Sequence, residues 1–189
     1  MLRCFYIKNE GKKFEEDFKK SVPNDHCWLY RLRDNAASFS GGTNVRFASS
    51  NICDYILFDD TTSTLLLLEL KSTKGKSLTY WRKDFDGKSF MIKKNQILGL
   101  TEANKHNLIA GLVINFREYD NRTFFIDIDE FNKLTKDLNK KSINIDDIEK
   151  CKHIEISNVQ KKIRYLYDIE EFLEEINGGN KDEEKRSYN

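Results

Sequence analysis

Proline is almost missing: Pro23 is the only one in 189 residues, and the nine glycines form no linker. With no Pro- or Gly-rich break and no internal repeat, residues 1–177 read as one domain, followed by a polar tail over 178–189 expected to be disordered. Long apolar runs are missing too. None approaches the roughly 20 residues a membrane helix needs, which excludes an α-helical membrane protein. The opening MLRCFYIKNEGKK has no apolar leader core, so a cytoplasmic protein is expected. Cysteines are few: Cys4, Cys27, Cys53 and Cys151 never form a C-x-x-C pair, which argues against a zinc finger or dithiol motif and for reduced thiols. His26, His106 and His153 are scattered, with no carboxylate at ligand spacing, and read as structural or solvated. Charge of one sign is absent as well. The 32 basic and 31 acidic residues leave a net charge of +1, which excludes a histone-like polycation but not a local basic patch.

What is present is a mixed α/β pattern. GKKFEEDFKKSV (11–22) places Phe14, Phe18 and Val22 at helical spacing on a core-facing stripe, and Pro23 ends it. CWLYRLRD (27–34) and ICDYILFDD (52–60) read as strands. After a TTS turn, LLLLELKST (65–73) makes an antiparallel hairpin with the second of them. A Gly/Ser/Asn loop fills 38–51. The stretch from about 89 to 105 has helical spacing through Phe90, Ile97, Leu100 and Ala103. LIAGLVINF (108–116) is apolar on both faces, as a central strand must be. TFFIDI (123–128) is another strand. DEFNKLTKDLN is helical, two short strands follow, and IEEFLEEIN closes the domain as a helix stopped at Gly178 and Gly179.

The greasiest segment also carries charge. In LLLLELKST, Leu66, Leu68 and Leu70 point one way, while Glu69 and Lys71 share the opposite face. The antiparallel turn brings Asp54 near Glu69. Two adjacent carboxylates repel unless a cation lies between them, and a hard divalent ion such as Mg²⁺ suits oxygen ligands. Lys71 can then stabilise charge on a phosphorus centre. Asp54, Glu69 and Lys71 together form a kit for phosphodiester cleavage.

Asp54 with Glu69-Leu70-Lys71 resembles the PD-(D/E)xK nuclease core, with its restriction-endonuclease-like mixed sheet flanked by helices. More narrowly, the chain resembles RecU-type Holliday junction resolvases and, more loosely, the archaeal resolvases. GKKFE (11–15) resembles their first-helix motif, SGGT (40–43) a Ser/Gly-rich substrate loop, ELKST (69–73) the E-x-K-S-T signature, and Gln96 a motif glutamine. The resemblance spans roughly residues 9–128. It departs at Cys53, where the family has proline, and at 34–50, a modest loop where RecU proteins carry a stalk-like insertion.

The resemblance implies metal ligation by Asp54, Glu69, the Leu70 carbonyl and Glu15, catalysis by Lys71, and orientation of water or lysine by Gln96. It implies Mg²⁺ as cofactor, with Mn²⁺ able to substitute, branched DNA as substrate, and a homodimer. DNA contacts are expected from Arg31, Arg33, Ser40, Arg46, Thr73, Lys74, Lys76, Arg82, Lys83 and Lys93, with Tyr80 and Trp81 interleaved for base stacking. Two other readings share these residues: a restriction- or repair-type nuclease on other DNA, and a non-catalytic DNA-binding protein that keeps the fold.

Overall fold

The computed structural model describes residues 10–33, 51–84 and 89–187, with backbone only from 179 onward. Expected elements that fall in 34–50, including Ser40 and Arg46, lie outside the described residues.

The architecture is α/β: a six-stranded mixed sheet with helices packed on its faces. The strands are β1 (Cys27–Arg31), β2 (Tyr55–Asp59), β3 (Thr64–Thr73), β5 (Ile109–Phe116), β6 (Arg122–Asp127) and β8 (Ile154–Glu155), and they lie in that order across the sheet. Every pairing is antiparallel except β3 with β5. Two small ribbons accompany it: β4 (Ser77–Thr79) with β7 (Ser142–Asn144), and β9 (Asn158–Lys161) with β10 (Arg164–Tyr167).

The two faces of the sheet bury different cores. On one face, Leu66, Leu68 and Leu70 of β3 pack with Phe14 and Phe18 of α1 (Glu10–Ser21) and with Phe172, Leu173 and Ile176 of α5 (Ile169–Ser187). Leu66 and Leu68 are fully buried, each contributing about 2 kcal/mol. On the other face, Leu67, Leu112 and Ile114 pack with Ile97 and Leu100 of α2 (Lys94–Asn104) and with Phe131 of α3 (Ile128–Asp137). A short helix, α4 (Ile145–Ile148), closes this side. The central-strand reading of 108–116 holds, since β5 has a neighbour on each edge and cores above and below.

Several turns follow from residue type. Asp120 and Asn121 both take positive φ, 51° and 54°, which the tight β5–β6 turn requires and which Asp and Asn tolerate. Asp17 is buried on α1, yet it accepts from Arg164 Nη1 at 2.9 Å and Tyr165 N at 3.1 Å, clamping α1 to β10.

Some expectations shift. The first strand ends at Arg31 rather than 34. The helix expected from about 89 starts at Lys94, because Ile92 is held in a bridge to Tyr80 and Gln96 Oε1 accepts from Lys93 N at 2.8 Å. Backbone α5 continues through Gly178 and Gly179 to Ser187. Glycine costs a helix only about 1 kcal/mol, and the residues beyond are mostly strong helix formers. The ribbon strands β4, β7 and β9 are too short to stand out in the pattern.

Candidate active site

The site sits on the β2–β3 hairpin. Asp54 directly precedes β2, and the β2–β3 register pairs Tyr55 with Leu68, so Asp54 comes opposite Glu69. Backbone bonds hold it there. Asp54 N donates to Leu68 O at 3.1 Å, and Leu70 N donates to Asp54 Oδ2 at 2.9 Å. The hairpin itself thus aims the Asp54 carboxylate at Glu69.

Glu69 is 1% exposed, on the α2 side of the sheet. Its Oε1 receives both the Lys71 ammonium and the Gln96 side-chain amide. Burial pushes the Glu69 carboxyl up to about 8, with the Asp54 charge adding to the rise while Lys71 opposes it. Only strong desolvation makes a carboxyl this weak an acid with a lysine in contact.

Helix α2 delivers Gln96 by close approach. Asn95 Nδ2 donates to Asn51 O at 2.8 Å, and a Cβ on Gly99 would lie 2.3 Å from Ile52 Cγ2. The helix is thereby fastened to the segment that leads into Asp54.

Glu15 reaches the site from the other face, on α1. Its carboxyl is raised by burial and by Asp54, and lowered by Arg31 and Lys71. Glu15 Oε2 is buried and accepts no hydrogen bond among the described residues, although Arg31 Nη2 lies 2.7 Å away. Three carboxylates thus share one electrostatic neighbourhood, with one orphaned oxygen and one carboxyl that is reluctant to ionise. Arg31 and Lys71 offset part of this negative charge, and the three carboxylates remain hard oxygen donors, the donor chemistry of an Mg²⁺ or Mn²⁺ site. The residues present fit a divalent cation.

The expected DNA-binding residues divide. Arg31 is exposed at the rim, paired with Glu15 and 5.9 Å from the Tyr55 ring centroid. Arg33, Lys76, Lys83 and Lys93 are exposed. Lys74 is exposed and 3.3 Å from Glu118. Thr73 is buried at the end of β3, and its Oγ1 accepts from Gly75 N. Arg82 is bound to Asp84 and to the Thr135 and Leu138 carbonyls at the end of α3.

The stacking expectation fails for Tyr80. It is fully buried, its hydroxyl donates to Lys140 O at 2.7 Å, and its ring meets Phe131 edge-on. Trp81 is half-buried beneath Lys94. Among the described residues the exposed aromatics are instead Trp28 and Tyr30 on edge strand β1, stacked at 5.4 Å between centroids. The alternation in CWLYR, which puts both rings on one face, was the available signal. The histidine expectation also needs correction. His26 lies 3.1 Å from Asp25 and 3.3 Å from Glu170, and His106 lies 3.6 Å from Glu102 one helical turn away. Folding supplied Glu170, the one long-range partner among these; Asp25 and Glu102 are local in sequence.

Residues 43–171 match the family described as Recombination protein U. A curated relative, the SPbeta prophage-derived uncharacterized protein YotM of Bacillus subtilis (strain 168), is 32% identical over 181 residues, 89% of this chain and 87% of its own. A solved structure of Hjc, a Holliday junction resolvase from the archaeal hyperthermophile Archaeoglobus fulgidus, aligns with a TM-score of 0.47 at 14% identity, over 75% of this chain and 93% of that one.

Proposed function

The chain belongs to the RecU family, and from that premise we propose that it is a divalent-metal-dependent endonuclease that resolves four-way DNA junctions by paired cuts. The observation that carries this reading is the convergence of Asp54, Glu69, Lys71 and Gln96 on one buried point beside Glu15.

In this reading Asp54, Glu69, the Leu70 carbonyl and Glu15 hold Mg²⁺, or Mn²⁺ in its place. The cation supplies a polarised phosphate and a more acidic water. Lys71 places its ammonium beside the phosphate, where negative charge grows as the bond breaks. Gln96 orients Glu69 and, through that carboxylate, Lys71. The exposed Arg33, Lys74, Lys76, Lys83 and Lys93, with Ser40 and Arg46, hold the backbone phosphates. Thr73 shapes the end of the strand on which the scissile phosphate rests. A four-way junction offers two symmetric strands, which a homodimer matches. Residues 1–177 act as a single nuclease unit, in the cytoplasm, where such DNA is processed. Among the described residues no helix is long and apolar enough to cross a membrane.

Cleavage of a labelled mobile junction with Mg²⁺ or EDTA, beside linear and flapped duplexes, tests the reading. Metal-dependent paired nicks on the junction alone are expected. Cutting of linear or flapped DNA instead would point to a restriction- or repair-type nuclease, and binding without cutting to a non-catalytic DNA-binding protein.

A further inference from the structure

A second cluster of metal-binding side chains stands away from this site. His26, Cys27 and Asp59 each offer one ligand atom, and these atoms lie within 4.8 Å of one another. Cys27 opens β1 and faces Asp59, the last residue of β2, in the strand register, and Asp60 N donates to His26 O at 3.0 Å. Asp59 is at the end of β2 opposite to Asp54. Five residue steps of extended chain separate the two, about 16 Å.

A fourth donor arrives from α5. Glu170 Oε2 in its first turn lies 3.3 Å from His26 Nε2. The negative charges of Asp59, Glu170, Asp60 and Asp25 all bear on the Cys27 thiol. The cluster is thus a thiol, an imidazole and carboxylates gathered at one seam where β1, β2 and α5 meet.

Its chemistry differs from that of the nuclease centre. Imidazole and thiolate are the ligands of zinc, whereas Mg²⁺ takes oxygen. The Asp59 carboxylate is already aimed. It is 2% exposed, Oδ1 accepts from Thr61 N at 3.0 Å and from Thr61 Oγ1 at 2.6 Å, and Oδ2 accepts from Thr62 Oγ1 at 2.6 Å. Hydrogen bonds of this kind hold a ligating carboxylate in place. Glu170 is 58% exposed, which leaves a path inward from solvent.

We infer that His26, Cys27 and Asp59 bind one zinc ion and that Glu170, beside His26, swings in as the fourth ligand, closing a site that fastens the start of α5 to the β1–β2 ribbon. A tetrahedral ion needs ligand atoms about 3.5 Å apart, so the three clustered atoms draw together by roughly 1 Å, and Glu170 moves in from His26, all through side-chain rotation. Binding releases the Cys27 proton to solvent, leaving a thiolate on the metal. The inference is independent of the nuclease reading.

Titration of the full chain with Co²⁺ tests it. A thiolate-to-cobalt charge-transfer band is expected to rise to one equivalent, and added Zn²⁺ is expected to abolish it. Cys27→Ser loses the band and His26→Gln weakens it, whereas Asp54→Asn and Cys151→Ser keep it. Zn²⁺ also raises Tm by several degrees in the wild type and in Asp54→Asn but not in Cys27→Ser. The absence of a thiolate band in the wild type, or a band or zinc-dependent Tm rise that survives Cys27→Ser, overturns the inference.

Discussion

Leu70 N donates to Asp54 Oδ2 at 2.9 Å, so a backbone amide of β3 sets the direction of a carboxylate that enters β2. The same strand holds Glu69 on its next face, and the two acids meet with no flexible loop between them. Asp54→Asn and Glu69→Gln should each cut the cleavage rate by about 10⁴-fold, the size of loss seen when a member of a catalytic unit is removed. DNA affinity should stay within a few-fold of wild type. Single-turnover cleavage and gel-shift binding check both, and normal cleavage by either variant would falsify the site assignment.

Gln96 makes two bonds at once, one to Glu69 and one from Lys93 N at the start of α2. Gln96→Ala should reduce activity or metal affinity by about 10–100-fold, as expected for a partner that orients a ligand. Gln96→Glu should restore the bond to Lys93 N yet place a carboxylate against Glu69, and so should not recover activity. Metal titrations of both variants separate affinity from turnover.

Glu69 links stability to pH. Burial pushes its carboxyl up to about 8 in the folded chain, against an ordinary value of 4.5. Between those values the folded chain keeps a proton that the unfolded chain has lost. Its contribution to stability is therefore whole below the unfolded value and is lost as pH rises through about 8. In EDTA, Tm of the wild type should fall across this range more steeply than that of Glu69→Gln. With metal present the order should reverse toward the alkaline end, because a cation requires the ionised carboxylate. Parallel melting curves for the two proteins in EDTA would contradict the assignment of the raised carboxyl to Glu69.

Asp17 clamps the helix that carries Glu15. Asp17→Ala leaves Tyr165 N without its acceptor and should cost about 2–3 kcal/mol in denaturant unfolding. Cleavage should also weaken, since Glu15 lies two residues away on the same helix. A variant as stable as wild type would show that the clamp is dispensable.

Gly99 sits where α2 closes on Ile52. Gly99→Ala should cost about 1–3 kcal/mol by overpacking, despite the better helix propensity of alanine. Paired Gly99→Ala and Ile52→Ala changes should recover part of that loss, measured by a double-mutant cycle.

Much of this was legible in the chain itself. The hairpin partners, the central apolar strand and the acids of β2 and β3 followed from alternation and run length, because a strand exposes its face assignment at a period of two. Asp54, Glu69 and Lys71 could be placed together on that ground alone. Gln96 and Glu15 needed family resemblance, since one amide or acid on a helix carries no local mark of what it will touch.

Other features were decided only by the fold. The short ribbon strands hold three or four residues each, too few for a period to show. Tyr80 sits among basic residues in the chain, yet docking of α3 buries it. His26 gains Glu170 across 144 positions, and Cys27 gains Asp59 by strand register. Local sequence sets which face a residue takes, because backbone geometry is periodic. What that face meets depends on how distant elements pack, and packing is a property of the whole chain.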